Sequence, residues 1–252
     1  MRTIVMAGML LVTSLPAQRL YLVTEDPGPM KALGAVLERH GYRTAVESEQ
    51  EFLAHKNESS PKAIFVYVHK PLEAAMEDYL ISYAEDGGRL IILHHGIASS
   101  KVNNKRWLPF LGIRISREVE PKWLVLRGAY QLVNLNPRHY VTSHNVIYPA
   151  SVSYTPTDAP STEQQVQAIE IPDTEIFLNQ VFTDGRRKTV LFGFKTTIDG
   201  KTYMQDRAGW TVETGKGHVF YFQPGHFGRD FDNPGYAQVL VNAIEWKPDS
   251  QR

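Results

Sequence analysis

Four histidines stand where three apolar runs stop. The run 90–93 ends in His94-His95-Gly96, the run 63–68 ends in His69-Lys70-Pro71, and the aromatic run 218–222 ends in Gln223-Pro224-Gly225-His226. Two acids, Asp173 and Glu175, follow the strand-like run 167–171. Imidazole titrates near neutrality, so it gives or takes a proton at working pH. A carboxylate beside it can hold the ring's tautomer or act as the base. Two histidines and one carboxylate could also bind a divalent metal with open positions. No H-x-x-x-H or H-x-H spacing occurs, so the metal alternative depends wholly on tertiary convergence.

The elements around these residues place them on one rim. The short continuous run 90–93 reads as a strand buried on both faces, as in a parallel sheet. In open α/β sheets, ligands sit outside the carboxyl ends of the strands. Upstream, 20–24 is a strand ending in Glu25-Asp26-Pro27-Gly28, and 30–40 is a helix carrying Leu33, Val36, Leu37 and His40, closed by Gly41. Residues 42–46 form a second strand, 50–55 a short helix and 63–68 a third strand. Residues 72–83 place Leu72, Ala75, Met76, Tyr79, Leu80 and Tyr83 on one helical face, and Gly87-Gly88 ends that helix. Alternating strands and helices with short links argue for βαβ units and a parallel sheet. Right-handed crossovers would bring Glu25, Asp26, His69, His94 and His95 to the same edge.

The middle is less regular. A short helix spans 106–111 before Gly112, and strand-rich runs occupy 122–135, 189–195 and 210–213. Pro149, Pro156 and Pro160 make 148–161 a loop, and Asp184-Gly185 and Asp199-Gly200 read as hairpin turns. The last unit is clear. Gly215-Lys216-Gly217 turns into the strand before His226, Asn233 and Pro234 suit a helix start, and Val239, Leu240, Ala243 and Ile244 form its buried face.

Composition bounds the function. A chain of 252 residues permits one large domain or two small ones. Formal net charge is zero, so nothing in the balance favours nucleic acid or an anionic membrane surface. There is no cysteine, which excludes disulfides, thiolate nucleophiles and cysteine-based zinc sites together. Residues 1–18, with Arg2, an apolar core and Pro16-Ala17, resemble a secretory signal peptide cleaved near Ala17 or Gln18. The expectation is an exported protein, periplasmic or secreted, with no membrane attachment after processing. Residues 248–252 read as a tail.

Three stretches resemble the trehalose-utilisation, or ThuA-like, family. These are the glycine turn, apolar strand and Leu-His ending of 87–94, the acidic-aromatic segment Asp173-Thr174-Glu175-Ile176-Phe177, and the stretch 215–226, GKGHVFYFQPGH. The resemblance covers most of 19–247, taken as one domain. Thr174 stands between the two acids where the family pattern has none, and Glu175 is the favoured bearer of the acidic role. The resemblance implies a flavodoxin-like, class I glutamine amidotransferase-like three-layer sandwich. Its central sheet would be mainly parallel, with an irregular β-rich insertion. Those amidotransferases use a cysteine at the strand–helix elbow. Without any cysteine, thiolate amide hydrolysis is excluded here. Ser99 and Ser100 lie past the turn, not at a G-x-S-x-G elbow.

The expected catalytic set is therefore His94, Glu175 and His226, with His95 and Asp173 behind them. His69, Trp107, Tyr203 and Trp210 are the expected substrate contacts, the aromatics as a platform for sugar rings, with Trp123 a further candidate. The resemblance implies an enzyme acting on a sugar or keto-sugar derivative. Glu175 or His94 would take a proton and His226 would polarise or protonate an oxygen. Isomerase, lyase and hydrolase chemistry stay open. The alternatives are a non-catalytic carbohydrate-binding protein and a metal-dependent hydrolase. Proton transfer without metal is the first expectation, and a divalent ion the cofactor kept open. The expected partner is a small carbohydrate. His218 reads as structural, His139 and His144 as solvated, and 101–106 as a solvated basic face.

Overall fold

The computed structural model describes residues 19–57, 60–158, 162–186 and 188–248. The signal-like segment 1–18, most of the tail, and Pro160 and Ser161 of the expected loop lie outside the described residues. The first half alternates as expected: β1 (Arg19–Thr24), α1 (Pro27–Arg39), β2 (Arg43–Glu47), α2 (Glu49–His55), β3 (Ala63–Tyr67), α3 (Ala74–Glu85) and β4 (Arg89–Leu93). Then come α4 (Trp107–Leu111), β5 (Ile113–Arg114), β6 (Leu124–Asn134), α5 (Tyr140–Ser143), β7 (Ala150–Tyr154), β8 (Gln164–Leu178) and β9 (Val181–Phe182). The chain finishes with β10 (Thr189–Ile198), β11 (Lys201–Thr214), β12 (Gly217–Phe222) and α6 (Pro234–Glu245). Asp26 caps α1 through Gly28 N–H, and Asn233 caps α6 through the N–H groups of Gly235 and Tyr236.

Ten strands form one sheet in the order β2-β1-β3-β4-β12-β11-β10-β6-β8-β7. Every pairing from β2 to β12 is parallel, and every pairing from β12 to β7 is antiparallel. Strand alternation divides the core. Leu20, Leu22, Phe65, Ile91 and Phe222 face α1 and α6, whereas Tyr21, Val23, Ile64, Ile92 and Tyr221 face the side of α2, α3 and α4. Helices thus cover both faces of the parallel half, giving three layers. Among the described residues, no helix is long and apolar enough to cross a membrane.

The middle of the chain corrects several expectations. It does not sit beside the sheet as an irregular insertion. It extends the same sheet with long antiparallel strands, so parallel character is confined to the β2–β12 half. Asp199-Gly200, both with positive φ, makes the β10–β11 hairpin. Asp184-Gly185 makes no hairpin, because β9 leaves to pair with β5 and Asp184 instead binds Lys188 at 2.9 Å. The expected loop 148–161 contains β7, which pairs residue by residue with β8 from Ala150 opposite Ala168 to Tyr154 opposite Gln164.

Two residues expected in solvent are buried. Lys101 donates from Nζ to the carbonyls of Val68 (2.6 Å), His69 (3.3 Å) and Lys70, satisfying groups that the end of β3 leaves unpaired. Burial pulls its pKa down to about 8. His139 stacks on Trp246 at 5.5 Å, and its Nδ1 accepts the Val141 N–H at 3.1 Å to cap α5.

An accepting ring nitrogen carries no proton, and burial pushes the His139 pKa down to about 4. In the unfolded chain a histidine takes up its proton near pH 6.5. The unfolded state therefore binds more protons between these values, and stability falls as pH drops through that window. We expect the protein to lose on the order of 2 kcal/mol there through this ring. His139→Asn, which can cap with its side-chain oxygen, should lose less in urea denaturation at stepped pH. Equal losses would place the acid-sensitive group elsewhere.

Candidate metal centre

β4 delivers the first two ligand candidates. Leu93 ends the strand, and His94 turns the chain at φ +34°, a conformation costly for a residue with a side chain. Two contacts and burial hold it there. Its ring stacks on Phe177 at 4.3 Å, its Nδ1 lies 2.8 Å from the Gln223 carbonyl oxygen, and it is fully buried. Gly96 follows because a Cβ there would stand 2.3 Å from Ile92 Cγ2 and 3.0 Å from the Val66 carbonyl oxygen. His95 lies between Tyr67 (4.9 Å) and His69 (4.6 Å, stacked).

The antiparallel half delivers the carboxylate. The β6–β8 ladder shifts register between Gly128 and Tyr130, and Asp173 takes φ +30° in that bulge. Pairing resumes with Gly128 opposite Thr174, Arg127 opposite Glu175 and Val125 opposite Phe177. The shift turns Thr174 into the interior and leaves Glu175 on the face of Phe177, beside His94. Thr174 is fully buried and donates its hydroxyl to Asp230 Oδ2 at 3.0 Å.

The loop after β12 delivers His226. Asp230 Oδ2 also accepts from Gly225 N (3.1 Å) and Phe227 N (3.3 Å), so one buried carboxylate brackets His226 and reaches the neighbour of Glu175. Gln223 ties the remaining pieces. Its backbone oxygen accepts from His94, and its side-chain oxygen accepts the Phe177 N–H at 3.2 Å. Tyr67 donates to the His226 carbonyl at 3.1 Å.

These elements bring four electron-pair donors together. His226 Nδ1 lies 3.2 Å from His94 Nε2, 3.3 Å from His95 Nε2 and 3.4 Å from Glu175 Oε2. Glu175 Oε2 lies 3.4 Å from His94 Nε2 and 3.9 Å from His95 Nε2. All four atoms lie within 4.8 Å of one another. Ligands placed tetrahedrally about 2.0–2.1 Å from an ion stand roughly 3.3–3.4 Å apart, so most of these separations match a shared centre.

The protons sharpen the case. A carbonyl oxygen only accepts, so His94 carries its hydrogen on Nδ1 and presents a bare Nε2 to the cluster. Burial first, and the neighbouring imidazoles after it, pull the His94 pKa down to about 4, against the pull of Glu175. A neutral His94 cannot be the donor to that carboxylate, so burial decides and the two lone pairs face each other. Neutral His95 and His226 bring at most two protons to the four contacts of 3.2–3.4 Å. A divalent cation satisfies all four donors at once, and a ring whose other nitrogen is fixed on a carbonyl is the usual form of a metal-bound histidine.

The other expected residues fall into two groups. His69 is at the rim, stacked on His95, with its backbone held by Glu25, which also accepts from Lys70 N at 3.0 Å. Asp173 does not join the cluster. It is exposed and pairs with Arg127 (3.2 Å) and Arg229 (3.3 Å), so Glu175 alone of the two acids reaches the histidines. The aromatic platform is not there. Trp107 and Trp210 are fully buried, with their indole N–H groups bonded to the Gly96 carbonyl (2.7 Å) and Gln180 Oε1 (2.9 Å). Tyr203 packs on the α1–α6 side of the core with Lys201 4.8 Å over its ring. Trp123 packs on Phe177 at 4.8 Å and lines a cavity of about 490 Å³ with Ser99, Ser100 and Arg117. A larger cavity, about 750 Å³, includes Lys62, Arg89 and Glu245 at the opposite end of the strands, away from the cluster. Sequence reasoning missed Phe177, Gln223 and Asp230 as supports; Gln223 did stand in the strand-end stretch that carries His226.

The family model ThuA, described as trehalose utilisation, matches residues 22–247. No curated protein gives a significant match. Among solved structures, a ThuA-like protein from Bacteroides uniformis ATCC 8492 is 13% identical with a TM-score of 0.62, covering 95% of each chain. A carbohydrate deacetylase aligns at 8% identity and TM-score 0.54, over 90% of this chain and 32% of its own. A cold-adapted β-galactosidase from Rahnella sp. R3 aligns at 12% and 0.52, over 92% and 32%. At such identities the likeness is one of fold.

Asp230→Ala would strand three donors, two of them backbone N–H groups. A loss of about 2–4 kcal/mol in urea unfolding is expected. Asp230→Asn keeps an acceptor oxygen and should lose clearly less. Equal losses would mean that accepting these bonds is not what Asp230 contributes.

Proposed function

The chain belongs to the ThuA, trehalose-utilisation family, and from that premise we propose that it is a metal-dependent enzyme acting on a sugar or keto-sugar derivative. The supporting observation is the convergence of His94 Nε2, His95 Nε2, His226 Nδ1 and Glu175 Oε2 with fewer protons than lone pairs. It moves the metal alternative ahead of metal-free proton transfer. With Glu175 and His226 in contact at 3.4 Å, no substrate atom fits between a base and an acid on those two residues. Imidazole and carboxylate donors suit zinc and related divalent ions. Such an ion would supply Lewis-acid polarisation of a sugar oxygen if it took that oxygen in addition to, or in place of, one of the four donors.

The chain's own residues do the rest. His94, fully buried, anchors the ligand set from below, while His95, Glu175 and His226 keep 13%, 31% and 20% of their side-chain surface exposed. The centre therefore opens on one side. His69, stacked on His95 and outside the ligand set, is the imidazole placed to meet substrate and move a proton at the rim. The parallel order β2-β1-β3-β4-β12 supports placing this scaffold with flavodoxin-like and class I amidotransferase-like sheets. The signal-like pattern of residues 1–18 supports export, to the periplasm or beyond the cell.

Calorimetric titration of chelator-treated, dialysed protein with zinc tests this. One ion per chain is expected, with His94→Ala and His226→Ala each weakening binding by about 100-fold or more, and His69→Ala leaving it unchanged. On a panel of keto-sugars, chelator and His69→Ala should each remove turnover. Absence of zinc binding by the unaltered protein, or full turnover in chelator, would overturn the proposal.

A further inference from the structure

Two arginines stand beside the cluster and take no part in it. Arg127 is directly opposite Glu175 in the β6–β8 ladder, so both side chains leave the same face of the sheet. Arg229 follows His226 by three residues. Phe227 lies between the two guanidiniums, 5.3 Å from Arg127 and 4.2 Å from Arg229, and its ring is 4.4 Å from that of His226. The rim of the centre is thus a packed unit of Arg127, Phe227 and Arg229.

Both arginines share one carboxylate, Asp173. Two cations share one ion-paired carboxylate, and the other acids acting here are engaged elsewhere, Glu175 by the histidines and Asp230 by Thr174 and the Gly225 and Phe227 N–H groups. The side chains of Arg127, Arg229 and Asp173 are 62%, 48% and 61% exposed. Surface pairs of this kind are worth about 0–1 kcal/mol, so a second anion can compete for the guanidiniums at little cost. Arg229 also donates to the Asp173 backbone oxygen at 2.6 Å, which keeps it in place when the carboxylate is displaced. Guanidinium forks match carboxylate and phosphate oxygens in pairs. The charge of Arg127 is felt at His226, where it opposes protonation.

We propose that Arg127 and Arg229 form an anion-recognition rim, and that the sugar acted on carries a carboxylate or phosphate group. This rests on the metal-centre reading and names the substrate class for it. The neutral part of the sugar would face the ligand cluster, and its anionic group would take the place of the Asp173 carboxylate on the two guanidiniums.

The test uses zinc-loaded full chain and three probes: D-glucuronate, glucose 6-phosphate and neutral D-glucose. Binding of at least one acidic probe roughly tenfold or more tighter than glucose is expected, weakening with added salt. Which acidic probe binds better distinguishes carboxylate from phosphate. The double variant Arg127→Ala/Arg229→Ala should keep zinc and lose the preference, which separates the arginines from simple attraction to the metal. Asp173→Asn removes the competing carboxylate and should tighten the acidic probe without affecting glucose. Zinc binding with no preference for either acidic probe, or a preference that survives in the double variant, would overturn this inference alone. Failure to bind zinc would overturn the metal reading beneath it.

Discussion

The constraint on which the site depends is a shortage of protons. Three imidazole nitrogens and a carboxylate oxygen meet within 4.8 Å of one another, and His94 has already committed its hydrogen to the Gln223 carbonyl. Facing lone pairs repel, and at the fully buried His94 solvent does not relieve them. An arrangement of this kind persists where something positive sits among the donors, or where the surrounding structure holds them by force. The chain supplies the second condition, and its donor set fits the first.

The holding is distributed over distant segments. His94 depends on Phe177 stacking and on Gln223, one residue from β8 and one from the loop after β12. Gln223 spans the gap, accepting from His94 with its backbone and from the Phe177 N–H with its side chain. Asp230 reaches Thr174 on one side and the N–H groups around His226 on the other. Buried hydrogen bonds of this kind tie segments together, although Gln223 Nε2 and Asp230 Oδ1 are themselves left without a partner. Here they join the parallel half, which carries the histidines, to the antiparallel half, which carries Glu175. The β6–β8 bulge at Asp173 sets the phase of that junction, turning Thr174 inward and Glu175 toward the histidines.

Much of this was legible in the residue pattern, for physical reasons that also mark where legibility stopped. Parallel βα units place every strand's carboxyl end on one rim, so His69, His94, His95 and His226 could be assigned to that rim from order alone. Glu175 could be favoured over Asp173 only through family resemblance, because the bulge that separates their directions leaves no periodic signal. Trp107 and Trp210 misled because residue type does not reveal burial, and both indoles serve the core. The antiparallel extension was seen as separate strands but not as one sheet, since pairing partners lie up to dozens of residues apart. Asp230 escaped notice because a carboxylate capping a loop looks in sequence like any turn residue. His139 and Lys101 looked solvated because a polar residue gives no sign in sequence of the partners that let it be buried.

The most direct measurement is anomalous diffraction at the zinc edge from crystals of zinc-supplemented protein. The account predicts one peak about 2.0–2.2 Å from His94 Nε2, His95 Nε2, His226 Nδ1 and Glu175 Oε2, with His94 Nδ1 still on the Gln223 carbonyl. No peak among these four atoms, or a His94 ring turned so that Nε2 meets Gln223, would contradict it.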